Sequence, residues 1–182
     1  MKLPPIPSGD HELLLKIPYG EKTGIEWCYL LGDFGVHVAG CRKTITPPVK
    51  TLHFGDWVHQ GLPFYGGNVP YHYACSEPPK KDLILQIPQY RGPVMAVEFG
   101  GEKGSLAFSP YTVRIGKCTS FSVTLYGNLI NTFGQLHNCN KNVRMYGPGT
   151  WRETDESNAW SYTYQLKPIG ILTPPVLYEV IE

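Results

Sequence analysis

The chain has 182 residues, of which 42% are hydrophobic and 17% are charged. This composition predicts one compact domain with a packed core, with or without an attached arm, and it argues against a disordered chain. The formal net charge is +1, and no cluster of Lys and Arg occurs beyond Lys80-Lys81, so nucleic acid is not an expected partner.

From the sequence we expect neither a membrane-spanning helix nor a secretion signal. No apolar run approaches the roughly 18 residues that a spanning helix needs, so we expect no membrane partner. The N-terminal stretch "MKLPPIPSGDHE" has no hydrophobic segment behind its single Lys, which argues against a secretion signal. The five cysteines are odd in number and widely spaced, without a CxxC pair. We therefore predict reduced, mostly buried thiols and favour a cytoplasmic location.

The composition of the first third of the chain predicts short strands. The stretches "HELLLKI", "IEWCYLL", "VHVAG" and "KTITP" have strand-like composition and precede the proline-rich link at Pro47-Pro48. We predict that residues 1–58 form an N-terminal β arm, or the tail of a preceding domain.

The stretch "FGDWVHQGLPFYGGNVPYHY" (Phe54–Tyr73) is rich in aromatic and polar side chains and in glycine. Gly66-Gly67 permits a bend, after which Val69, Tyr71 and Tyr73 can alternate inward along a first long strand. We interpret the stretch as the entry into a β-sheet domain, with a rim that could contact sugar, and not as an active site.

The remaining chain alternates between apolar and polar residues with a period of two, which indicates strands. "DLILQI", "FSVTLY" and "WSYTYQL" each place alternate apolar residues on one face. In "VMAVEFGGEKGSLAF" two such runs flank Gly100-Gly101, which favours a tight hairpin turn. We predict an all-β fold, with residues 59–182 forming a two-sheet antiparallel β-sandwich.

Catalytic and metal-binding patterns are weak. Sugar hydrolysis needs two carboxylates about 5 to 10 Å apart, and Asp33, Asp56 and Glu98 are the acids to consider. Capping of turns by their carboxylates is the simpler interpretation. The sequence contains no HxH, HExxH or GxSxG pattern. We therefore assign no catalytic residue, no metal ligand and no cofactor.

Loop aromatics beside hydrogen-bonding side chains are the remaining candidates for a binding site. Aromatic faces with a few polar groups suit a carbohydrate, and on this ground we predict contacts from Trp57, His59, Gln60, Trp151 and Arg152. The alternative is that both tryptophans wedge the arm onto the sandwich.

Several motifs resemble the C-terminal region of large bacterial glycoside hydrolases. "PVMAVEFGGEKGSLAFSPYTVRI" with "FSVTLYGNLINTFGQLHN" resembles a galactose-binding-like β-sandwich, whose hairpin motif is V-x-V-N-G-x-x-x-G. Val97 to Gly104 match this motif, with Gly100 in place of the usual Asn. "EWCYLLGDFGV" and the ending "WSYTYQLKPIGILTPPV" extend the resemblance over most of the chain.

The resemblance implies a jelly-roll, galactose-binding-like fold and a noncatalytic accessory domain. Such a domain either binds carbohydrate weakly or stabilises an upstream catalytic domain, and these are the expected partners. Two alternatives stay open. The chain could be a self-contained glycosidase that uses Asp33, Asp56 or Glu98, or a purely structural domain that docks on the catalytic domain.

Overall fold

The computed structural model describes residues 2–24, 28–139 and 160–181. Within these ranges, helix is confined to a 3-10 turn, Trp57–Gln60, and one α-helical turn, α1 (Ile130–Phe133). The prediction of an all-β chain is therefore confirmed. Neither helix of the described part is long and apolar enough to cross a membrane.

The chain divides into two compact units, Met1–Gly32 and Asp33–Glu182. The described residues of the first unit contain no strand, and its apolar side chains, such as Leu13 and Ile17, are exposed. The predicted strand at "HELLLKI" is wrong, because no second segment pairs with it among the described residues. Part of "IEWCYLL" lies outside the described residues.

The described strands all belong to the second unit. In chain order they are β1 (Gly35–Ala39), β2 (Arg42–Thr46), β3 (Val69–Ala74), β4 (Leu83–Gln86), β5 (Tyr90–Arg91), β6 (Met95–Phe99), β7 (Glu102–Leu106), β8 (Thr112–Gly116), β9 (Ser120–Leu125), β10 (Gly170–Ile171) and β11 (Val176–Glu179).

These strands form four antiparallel sheets. The largest has the order β3-β9-β6-β7, and a three-stranded sheet has the order β11-β4-β8. β1 pairs with β2, and β10 pairs with β5. The strands predicted at "VHVAG", "KTITP", "DLILQI" and "FSVTLY" are confirmed.

The two larger sheets contribute to one hydrophobic core. Alternation along each strand sends every second side chain inward, and the inward residues of both sheets belong to the same buried cluster. This shared core is consistent with a two-sheet sandwich. The buried members are Trp57, Leu83, Leu85, Ile87, Met95, Val97, Leu106, Ile115, Phe121, Val123, Leu125, Ile169 and Ile171.

The β6–β7 hairpin follows the sequence prediction. Gly100 and Gly101 connect the strands with φ angles of +55° and +84°. Both angles lie in the left-handed region, where glycine avoids the steric cost of a Cβ atom. Two consecutive residues of this kind make the tight turn that matches the twist of a hairpin.

The predicted strand "WSYTYQL" is wrong. Only Trp160 makes a β-bridge, to Asn138, and Tyr162 is 64% exposed. The backbone N–H of Tyr164 donates to Gly40 and that of Gln165 donates to Leu136. Because these hydrogen bonds go to different segments, no continuous ladder forms. Trp160, which the predicted alternation places on the apolar face of that strand, is half-buried.

The predicted domain boundary at residue 58 does not coincide with the boundary between the two units. The β1–β2 hairpin belongs to the second unit, where Val36 donates its N–H to the carbonyl of Gly61. Residues 33–58 therefore fall in the same compact unit as the larger sheets.

The cysteines differ in burial from the sequence prediction. All five are free thiols, but Cys28, Cys41 and Cys139 are exposed. Cys75 and Cys118 are half-buried. The expectation that most thiols would be buried is therefore wrong.

Candidate functional site

The segment around Trp57 is a structural junction. Asp56 precedes the 3-10 turn, and its Oδ1 accepts from the backbone N–H of Val58 at 3.0 Å and of Ile169 at 3.1 Å. The N–H of Trp57 donates to the carbonyl of Ile169 at 2.8 Å, and Gly55 donates to Ile171 at 2.8 Å. One carboxylate therefore caps the turn and joins it to Ile169, the residue before strand β10.

Trp57 offers no face to a ligand. Its side chain is fully buried, and its Nε1 donates to the hydroxyl of Tyr71 at 2.6 Å. The ring also contacts the edge of Tyr65. We correct its predicted sugar-stacking role, because the apolar surface that a sugar would need is already packed inside the core.

Gln60 and His59 do not form a site with Trp57. The Gln60 amide accepts from the His53 N–H at 2.8 Å and donates to the His53 carbonyl at 3.2 Å, which closes the loop between them. The His59 side chain is 83% exposed, 3.8 Å from Asp56. Trp151 and Arg152, the other predicted contacts, lie outside the described residues.

The three candidate acids have separate surroundings. Asp33 is exposed, and the carboxylate of Asp56 accepts a backbone hydrogen bond as the N-cap of the 3-10 turn. Glu98 accepts from Lys103 at 2.8 Å on the surface of the β6–β7 hairpin. This hydrogen bond and the charge of Glu98 raise the pKa of Lys103.

A different surface assembles polar side chains. The registers of β3-β9-β6-β7 align four residues across the sheet, namely His72, Ser122, Glu98 and Lys103. Their positions alternate with inward residues such as Val123 and Val97, so the row lies on the outer face. It combines a carboxylate, an ammonium, an imidazole and a hydroxyl on neighbouring strands.

An open groove of about 410 Å³ lies along this row, beside the Gly100-Gly101 turn. We call it the outer groove. Because Gly100 and Gly101 have no side chains, the turn leaves the end of the groove unobstructed. Its lining residues are His72, Tyr73, Glu98, Phe99, Gly100, Gly101, Glu102, Lys103, Ser120, Phe121 and Ser122.

The outer groove can offer hydrogen bonds in both directions. Ser122 and Ser120 carry hydroxyls that donate and accept, Glu98 accepts, and Lys103 donates. We did not predict this site from the sequence, because we expected binding residues in loops and not on the outward positions of strands. The signal was present, since the strands predicted around Val97 and Val123 place Glu98 and Ser122 on their outward positions.

The described residues contain no group of three or more His, Cys, Asp and Glu that could hold a metal ion. No protein-family model matches the chain, and searches of curated proteins and of solved structures found no match either.

Proposed function

We propose that the chain is a noncatalytic accessory domain of a bacterial glycoside hydrolase that binds carbohydrate weakly in the outer groove. The supporting observation is the row of four polar side chains that crosses the sheet through His72, Ser122, Glu98 and Lys103. We also propose that the fold is a galactose-binding-like sandwich. The proposed partner within the parent enzyme is an upstream catalytic domain.

The chemistry of the groove suits a polyol. Sugar hydroxyls each need a donor and an acceptor, and the groove offers both within one row. Tyr73, Phe99 and Phe121 pair with one another on the inner face of the sheet, so the polar row on the outer face supplies the contacts that we propose. Because the groove is open, we expect a Kd on the order of millimolar, which corresponds to a binding free energy of about −4 kcal/mol.

A panel of neutral and acidic oligosaccharides, titrated by calorimetry or affinity electrophoresis, tests this proposal. His72→Ala removes a groove side chain, and His59→Ala is the matched control, because His59 is also an exposed histidine but lies outside the lining. We expect His72→Ala to weaken binding about fivefold or more, roughly 1 kcal/mol, and His59→Ala to leave it unchanged. Equal effects of the two variants would contradict the proposed site.

One observation favours a second candidate, a self-contained glycosidase. Glu98 and Glu102 both line the outer groove, and such enzymes use two carboxylates. Turnover of aryl glycosides that Glu98→Gln abolishes would establish this alternative and remove the noncatalytic assignment. Sugar binding without turnover would support the accessory role.

A further inference from the structure

The strand β11 has an open edge. In the described part of the chain it pairs with β4 and lies at the edge of its sheet. Natural proteins protect edge strands with proline or charge. The edge strand β3 contains Pro70, and β8 carries Arg114, which bonds Asp82. β11 contains no proline, carries one charge at its last residue, Glu179, and exposes Leu177 and Tyr178.

The direction of each backbone group along β11 follows from one hydrogen bond. The Val180 N–H donates to the Asp82 carbonyl at 2.9 Å, on the β4 side. In an antiparallel pair, alternate residues bond to the neighbour and the residues between them face away. Val176 and Tyr178 therefore face β4, whereas Leu177 and Glu179 direct their N–H and C=O groups toward the open edge.

The exposure of the Leu177 side chain also indicates that the edge of β11 is open. Leu177 is paired with Leu85, and paired residues share a face of the sheet. Leu85 is fully buried, yet Leu177 is 41% exposed. Leu177 is therefore incompletely covered where β11 ends the sheet.

We propose that β11 pairs antiparallel with β11 of a second copy of this chain, about a two-fold axis at Tyr178. In this register Leu177 lies opposite Glu179 of the partner subunit, and the reverse pair is equivalent. Both residues direct their backbone groups outward, so the two pairs form four hydrogen bonds. A register centred on Leu177 would instead place Glu179 opposite Pro175 of the partner subunit, which has no N–H to donate.

The same register brings the two Tyr178 residues together. They form a non-hydrogen-bonded pair, in which Cα atoms are about 4.5 Å apart and side chains are closest. Aromatic pairs at such positions stabilise a sheet. The product is one continuous sheet with three strands from each copy. Because the contact is isologous, it closes at two copies.

The first unit contains the main competing occupant. Leu13, Leu15 and Ile17 are exposed and alternate along a segment that forms no strand among the described residues, so this segment of another copy could also add to an open edge. Self-pairing of β11 is favoured, because it satisfies the outward groups of Leu177 and Glu179 in a symmetric register. The contact is small, so we expect a Kd of about micromolar or weaker.

Sedimentation equilibrium of the full chain measures this association. We expect a concentration-dependent species of twice the 20.4 kDa chain mass. Leu177→Pro removes one outward N–H and leaves the bonds to β4 intact, and it should weaken the dimer at least about tenfold without lowering the thermal midpoint appreciably. The control Ile181→Ser removes an exposed apolar side chain outside the four bonds and should keep the dimer. A chain that stays monomeric up to about millimolar concentration overturns the proposal.

A cross-link fixes the register. In a background with all five cysteines replaced by Ser, Tyr178→Cys should form an intermolecular disulfide on mild oxidation, because the separation of the two Cα atoms suits the bond. Leu177→Cys is the matched control, since its counterpart lies diagonally, beyond disulfide reach. A dimer that Tyr178→Cys fails to trap, or that Leu177→Cys traps equally, overturns the register and points to another occupant such as residues 13–19.

Discussion

The indole N–H of Trp57 donates to the hydroxyl of Tyr71 at 2.6 Å inside the core. This bond joins the 3-10 turn to the first strand of the largest sheet. Burial of an unpaired polar group costs about 1 to 3 kcal/mol, so the fully buried indole of Trp57 depends on Tyr71 as its acceptor.

A double-mutant cycle with Trp57→Phe and Tyr71→Phe measures this bond. Tyr71→Phe leaves the buried indole N–H of Trp57 unpaired, whereas Trp57→Phe leaves the Tyr71 hydroxyl its hydrogen bond to the backbone of Ile171. We expect a coupling of about 1 kcal/mol in the free energy of urea unfolding. Additive effects would show that the two groups do not depend on one another.

Alkaline pH should destabilise the fold through the tyrosines of β3. Burial raises the pKa of Tyr71, and burial with the charge of Tyr71 raises the pKa of Tyr73 well above its ordinary value. Since the folded pKa exceeds the unfolded one, the neutral hydroxyls contribute stability below about pH 10 and lose it as the pH rises further. The urea midpoint should fall as the pH rises above about 10, and less steeply for Tyr73→Phe. Equal slopes in both proteins would contradict this account.

Asp56 should be a stability determinant. Asp56→Ala removes the acceptor for Val58 and Ile169, so we expect a loss of about 1 to 2 kcal/mol in the free energy of unfolding. His59→Ala, three residues along the same turn, should stay within about 0.5 kcal/mol of the parent, because His59 is exposed. Equal losses would show that the turn responds to any substitution.

Two glycines with positive φ provide a matched comparison. A Cβ at Gly101 would meet nothing within 4 Å, whereas a Cβ at Gly170 would contact the backbone oxygen of Gly55 and the ring of Trp57. Gly101→Ala should therefore cost about 1 kcal/mol from backbone strain alone. Gly170→Ala should cost about 3 kcal/mol or more, since contact is added to strain. Thermal unfolding of both variants would check the order, and the reverse order would contradict the packing at this junction.

The strands that pair with a neighbouring strand in a continuous ladder could be predicted from the sequence. The glycine pair at Gly100-Gly101 and the alternation around Val97 and Val123 are local signals, and the structure confirms both. "WSYTYQL" alternates equally well but forms no strand, because its backbone bonds diverge to Gly40 and Leu136. Local periodicity cannot reveal where a partner strand lies.

The candidate site was harder to predict for a related reason. The residues around Trp57 have the composition of a binding loop. In the structure, however, Trp57 is buried and bonds Tyr71, which lies 14 residues along the chain. The outer row depends on registers that join four strands, and single-strand patterns do not contain this information. Glu98 was considered as an acid, but its neighbours Ser122 and Lys103 are brought to it by pairing.

Amide chemical-shift mapping tests the central claim most directly. Uniformly ¹⁵N-labelled chain is titrated with the tightest oligosaccharide of the panel up to about ten times its Kd. We expect shifts at residues 98–103 and 120–122, with the indole N–H of Trp57 unchanged. Shifts that centre on the Trp57 indole, or no shifts with any sugar of the panel, would contradict carbohydrate binding in the outer groove.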